Sequence, residues 1–227
     1  MLFDLRSRRR RGAVKVIYAS LAVLMVVGLV GLGIGTGSTG GLLNAGGNGG
    51  GAGSGNAASN ALVKQAIKKV NAHPSAANWA NLMKVRYAVA GSGSNYDSAS
   101  GSYTASGKQQ LTQAAADWRR YLTASKGRPL LDYAIIAART YQSLSLWVQE
   151  SQAWNYAVQS APASQRLTPY YCLALSAYAA KNVTTGALAA AAAVRLTPKL
   201  QRLSQQSALK SAATSTSTAK SLLLANC

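Results

Sequence analysis

The sequence predicts an all-α protein with an N-terminal transmembrane helix, a flexible Gly-rich linker and a domain of antiparallel helix pairs. Three observations support this fold class. An uncharged apolar run extends from Val16 to Gly35, a Gly-rich tract follows it, and beyond residue 57 apolar residues recur at helical spacing. No comparable run of alternating apolar and polar residues indicates strands.

The first segment is predicted to cross a membrane. Residues 13–35 contain VIYASLAVLMVVGLVGLGIG, and twenty helical residues at about 1.5 Å each span about 30 Å, the thickness of the hydrocarbon core. Residues 1–12 carry the arginine cluster RSRRRR, whereas no charge follows the helix until Lys64. Because positive flanks stay inside, we expect a cytoplasmic N-terminus and an extracytoplasmic C-terminal domain. A cleaved signal peptide is the alternative, although no clear Ala-x-Ala site follows the apolar run.

Residues 36–57 are predicted to be a flexible linker, because TGSTGGLLNAGGNGGGAGSGN has no apolar periodicity. The helical domain is assigned to residues 58–213 and a C-terminal tail to residues 214–227. Within the domain we expect helices at about 76–90 and 108–125, a polar loop at 91–107, and a last helix at 199–213. Between residues 125 and 199, prolines divide the remaining helices into two pairs.

Similar residues recur in successive helix pairs. Ala153 and Ala157 lie thirty-four residues before Ala187 and Ala191. This pattern resembles the tetratricopeptide repeat (TPR) family over roughly residues 76–198, in about three repeats. The best match is 168–198, carried by Tyr171, Ala174, Tyr178, Ala187, Ala191 and Pro198. The match at 131–162 has three extra residues between its helices. A generic Ala-rich helical bundle is the alternative.

The resemblance implies that the first helix of each pair lines a concave groove that binds an extended peptide or a helix. The positions carried over to this sequence are Lys84, Tyr87, Asp132, Ile135, Arg139, Gln142 and Ser176. The function implied is that of a membrane-tethered extracytoplasmic scaffold for other proteins or peptides. Assistance to secretion or to envelope assembly would fit this layout.

Charge suggests a function of another class. From Lys64 onward the chain has eighteen Lys and Arg against four Asp and Glu, a net charge of +14. Such a surface attracts polyanions. The alternative is therefore a basic envelope protein that binds anionic cell-wall polymer or lipid headgroups. Nothing in the sequence indicates a specific nucleic-acid partner.

Catalytic and metal-binding patterns are not found in the sequence. The chain has one His, the five acids are scattered, and the Gly-rich tract lacks the Lys of a phosphate-binding loop. We therefore expect no enzyme activity and no cofactor.

Two cysteines leave two interpretations open. Outside the cytoplasm an even number of cysteines favours a disulfide. The other interpretation is a buried Cys172 and a free thiol at Cys227. On the first, the apolar segment AKSLLLANC, from Ala219 to Cys227, would turn back onto the concave face of the last repeat, and Cys227 would bond to Cys172.

Overall fold

A computed structural model describes residues 54–227 of the chain. The predicted N-terminus 1–12, the membrane helix 13–35 and most of the linker 36–57 lie outside the described residues. Among the residues that are described, no helix is both long enough and apolar enough to cross a membrane.

The all-α fold is confirmed for the described part of the chain, which forms nine helices and one very small hairpin. The helices are α1 (Ser54–Ala72), α2 (Ala76–Ala90), α3 (Ala105–Ala124), α4 (Leu131–Ser143), α5 (Trp147–Ser160), α6 (Leu167–Ala179), α7 (Val183–Leu196), α8 (Arg202–Thr214) and α9 (Thr216–Asn226). The strands are β1 (Tyr96–Asp97) and β2 (Ser102–Tyr103), which pair antiparallel. Short 3₁₀ turns cover Gly93–Asn95, Ala163–Gln165 and Lys199–Gln201.

At three places the structure has regular elements within segments predicted as linker, loop or tail. Helix α1 begins at Ser54, within the predicted linker, because the Ala-rich residues after it favour helix. The predicted loop 91–107 contains the hairpin, closed by edge-to-face packing of Tyr96 on Tyr103 with ring centroids 5.2 Å apart. The tail 214–227 is mostly helical, because Ser215 caps α9 by accepting a hydrogen bond from the Thr218 amide.

Helices α4 and α5, and then α6 and α7, form hairpins with identical turns. In each turn one residue has positive φ, Ser145 in the first and Lys181 in the second. The next amide donates to a carbonyl five residues back, from Leu146 to Tyr141 at 2.9 Å and from Asn182 to Ala177 at 2.8 Å. This is the Schellman ending of a helix. Both connections have three residues, so the three extra residues predicted for the 131–162 match are not found.

The repeat period is therefore 36 residues rather than the predicted 34, since Ser145 and Lys181 are 36 positions apart. Burial follows the longer period. Ala153 and Ala157 are buried, and so are Ala189 and Ala193, each 36 positions later. Ala187 and Ala191, which the sequence alignment had paired with them, are exposed. The face of α7 that packs inward thus lies two residues beyond the predicted one.

The junction between pairs also repeats. Ala161-Pro162-Ala-Ser-Gln-Arg166 and Thr197-Pro198-Lys-Leu-Gln-Arg202 form equivalent turns. In each, the arginine Nε–H donates to the carbonyl of the residue before proline, at 3.0 Å for Arg166 and 2.9 Å for Arg202. The guanidinium groups thereby satisfy a carbonyl that the ended helix leaves unpaired.

Two of the four carboxylates among residues 57–227 are buried inside the helix pairs. Asp117 on α3 is fully buried and bonds Arg86 on α2 at 2.7 Å. Burial raises the pKa of Asp117, and the positive charges of Arg86 and Arg120 oppose this rise. Glu150 on α5 is 1 % exposed and accepts one hydrogen bond, from Trp154 Nε1 at 3.2 Å. Its Oε2 has no partner, and burial raises its pKa to about 8.

Candidate binding groove

The first helices of the pairs are α2, α4, α6 and α8, and the side of the domain that they form is here named the first-helix face. The C-terminal helix α9 packs on this face, against α6 and α8. A regular continuation would instead place a second helix beside α7. Helix α9 is therefore diverted to the side that the sequence had predicted as the binding groove.

An apolar stripe on α9 accounts for this packing. Ala219 and Leu223 are completely buried and lie four residues apart, so they share one side of the helix. Leu222 packs at the edge of the same core, whereas Leu224 on the other side is 65 % exposed. Burying a leucine side chain contributes about 1.5–3 kcal/mol to stability relative to leaving it exposed. This burial favours the packing of α9 on the domain.

Cys227, which caps the C-terminal end of α9, is covalently bonded to α6. Cys172 and Cys227 form a disulfide with Cα atoms 5.8 Å apart, and the described chain contains no free cysteine. Of the two interpretations left open by the sequence, the structure therefore contains the bonded one. Cys172 is fully buried beneath this contact.

Two predicted groove residues hold the backbone of α9. Arg139 Nε donates to the carbonyl oxygen of Cys227 at 2.9 Å, and Gln142 Nε2 donates to the carbonyl oxygen of Leu223 at 3.1 Å. These carbonyls lie in the last turn, where a helix has unpaired acceptors and a partial negative charge. The arginine therefore complements the helix end electrostatically.

A further contact at the start of α9 was not predicted. The ammonium group of Lys220 lies over the Trp147 ring, 5.3 Å from its centroid, at the beginning of α5. Such cation–π contacts contribute about 0.5–1 kcal/mol at exposed sites. The sequence signal that could have found the helix is the Ser215 cap followed by the Ala219, Leu222, Leu223 spacing.

The other predicted groove residues are placed differently. Lys84, Tyr87 and Ile135 are half-buried, and Asp132 is exposed. Burial raises the pKa of Tyr87, with a smaller rise from nearby Tyr103 and an opposing effect of the positive charge of Arg139. Tyr87 on α2 thus lies close enough to Arg139 on α4 for the positive charge of Arg139 to affect the Tyr87 pKa.

Ser176 does not line an open groove, which corrects the prediction. It is completely buried, and its hydroxyl donates to the Leu173 carbonyl one turn back at 3.1 Å. Residues 172–179 of α6 are all buried, because α5, α7, α8 and α9 all pack against this helix.

Within residues 54–227 no group of three His, Cys, Asp or Glu side chains could hold a metal ion. The absence of enzyme activity remains a prediction. Comparison with known protein families, with curated proteins and with solved structures finds no match to this chain.

Proposed function

We propose that this chain is a membrane-anchored scaffold of TPR-like helix pairs that binds protein or peptide partners outside the cytoplasm. In this proposal residues 13–35 are the anchor, residues 1–12 lie in the cytoplasm, and the first-helix face is the binding surface.

One contact carries the proposal: the first-helix face already holds a helix, the chain's own α9. Arg139 and Gln142 bond to main-chain carbonyls of α9 rather than to its side chains. The C-terminal turn of any helix has carbonyls that could accept the same bonds. A helix that also carries an apolar stripe could therefore bind here in the helix-in-groove mode of recognition. Helix α9 would then occupy part of the surface, and reduction of the Cys172–Cys227 bond would release it.

The disulfide supports the proposed compartment. Disulfides persist in oxidising surroundings and are rare in the cytosol. A Cys172–Cys227 bond is therefore expected on the outer side of the membrane, in agreement with the orientation that the arginine cluster predicts.

Site-specific crosslinking in native membranes tests the proposal. A photo-crosslinking amino acid is placed at Lys84 or at Asp132 on the first helices, and at exposed Gln109 on α3 as the matched control. We expect defined protein adducts from the first two positions, identified by mass spectrometry, and none from the third. Equal adducts at all three positions, or no protein adducts at any, would contradict the proposal.

A specific observation also favours the alternative, binding of anionic polymer or lipid headgroups. Of the four acidic residues among residues 57–227, Asp117 and Glu150 are buried, so exposed negative charge is limited to Asp97 and Asp132. The same stretch of the chain contains eighteen Lys and Arg residues. Binding to phosphatidylglycerol vesicles that collapses as salt rises would indicate this function, because screening weakens contacts between exposed charges. Binding of a peptide in an apolar groove should persist.

A further inference from the structure

A second groove lies at the end of the domain, between α7 and α8, away from the first-helix face. It has a volume of about 580 Å³, and its floor includes Ala187, Ala191 and Leu209. We name it the end groove. Its alanines are the exposed ones on α7, so the groove is open to a partner and shallow enough for close backbone approach.

One pair earlier, the equivalent position is partly covered by α7, which packs against α6. The residues 36 positions before Ala187, Ala191 and Leu209 are Ser151, Asn155 and Leu173. These three line a cleft together with Asn182 and Thr185, which belong to the cap and first turn of α7. The start of α7 therefore adjoins α5 and α6 at this cleft.

The end groove lacks such an occupant because α9 turns the other way. After α8 the single residue Ser215 reverses the chain, and α9 packs on α6, where the disulfide fixes it. The position that a following second helix would take next to α7 is thus left open.

The rim of the end groove selects the charge of its occupant. Arg195, Arg202 and Lys210 line it, and no Asp or Glu does. A second copy of this chain would bring more positive charge to this rim, because residues 57–227 carry so few exposed acids.

We propose that the end groove binds one amphipathic helix of another protein, with small apolar residues on the buried face and Asp or Glu along its flanks. Such a helix would continue the stack as the missing second helix of the last pair. This surface is separate from the first-helix face, so the proposal goes beyond the function proposed above and can fail without it.

The probe is a peptide copied from residues 182–197, since α7 is the helix that borders the equivalent position one pair earlier. Its exposed residues Ala187, Ala191 and Arg195 are replaced by Glu, and a control peptide carries Lys at the same three positions. Binding to the full-length protein in detergent is measured by fluorescence anisotropy. We expect the Glu peptide to bind at least roughly tenfold more tightly than the Lys peptide, a difference of about 1.4 kcal/mol.

Protein variants locate the binding. Ala191→Trp should fill the groove and weaken the Glu peptide by roughly tenfold or more, whereas Ala77→Trp, at an exposed site on α2, should not. Lys210→Glu should weaken it more than Lys199→Glu, which changes the net charge equally outside the groove lining. Thermal melts confirm that each variant folds.

Three results would overturn the proposal: no measurable binding of the Glu peptide, equal binding of the two peptides, or no effect of Ala191→Trp. Arg139→Ala separates the two surfaces. If that variant abolishes binding while Ala191→Trp does not, the peptide occupies the first-helix face, which would support the scaffold function and refute the end groove.

Discussion

Arg139 donates a hydrogen bond from Nε to the carbonyl oxygen of Cys227, 88 positions later in the chain, at 2.9 Å. The guanidinium lies at the end of α9, where unpaired carbonyls concentrate partial negative charge. With the Gln142 bond to Leu223 and the disulfide, it fixes the C-terminal turn of α9 from two neighbouring first helices.

Leu223→Ala should destabilise the domain by about 2–5 kcal/mol, because the side chain is completely buried and its loss leaves a cavity. Leu224→Ala, one residue further along and 65 % exposed, should cost less than about 0.5 kcal/mol. Urea unfolding of the two variants measures both values. Equal losses would mean that α9 does not dock through the Leu223 side.

Reducing the disulfide should lower the free energy of unfolding by up to about 4 kcal/mol, since the bond closes a loop of 55 residues. Cys227→Ser should show a similar loss and no further response to reductant. Denaturant unfolding with and without a phosphine reductant gives the comparison. Mass mapping of protein isolated with its thiols blocked checks the bond directly, and free thiols at both positions would contradict it.

Glu150→Gln should change how stability depends on pH. The folded-state pKa of Glu150, about 8, lies above its ordinary value of 4.5, so the folded protein holds a proton that the unfolded chain releases. Stability should therefore fall as pH rises from about 5 to 8, by up to about 1.4 kcal/mol per unit from this group. The variant keeps an oxygen that can accept from Trp154 and should lose this slope. The free energy of unfolding of both proteins is measured at several pH values between 5 and 9. If it changes with pH to the same extent in both, Glu150 does not hold a proton in the folded state.

Ala193→Trp should destabilise the domain by roughly 1–3 kcal/mol or more, because Ala193 is completely buried between helices. Ala191→Trp should cost little, since Ala191 is exposed. This order is opposite to the one that the 34-residue spacing predicts. Melting temperatures of the two variants decide between the two registers.

The topology is tested in intact spheroplasts. Added protease should degrade the C-terminal domain and leave an N-terminal epitope intact, because the arginine cluster is expected to stay in the cytoplasm. Protection of the C-terminal domain until the membrane is lysed would reverse the orientation.

The helices could be predicted largely from the sequence, because prolines and apolar spacing mark them. The register of α7 could not. Residues 187–193 are six alanines and one leucine, so alanine falls on every face of the helix and composition does not say which face is buried. The junction residues carry the missing information: Pro162 to Arg166 and Pro198 to Arg202 repeat with the true 36-residue period.

The candidate groove was predictable in part. Repeat positions placed Arg139 and Gln142 on the first-helix face, where they contact α9. Ser176 was misplaced because the burial of α6 depends on α9, whose direction is set by contacts distant in sequence. The two-residue strands of the hairpin at 96–103 are likewise too short to give a periodic signal.

The two Pro-to-Arg junctions have a consequence for how this protein can change length. Because Arg166 and Arg202 cap equivalent carbonyls, deletion of residues 162–197 would join Ala161 to Pro198 and recreate the same turn with one helix pair fewer. Duplication of that stretch would add a pair without a new junction. Gene rearrangements in steps of one such unit would therefore alter the length of the binding surface and keep the turn between pairs, but the deletion would also remove Cys172 and leave Cys227 without its disulfide partner.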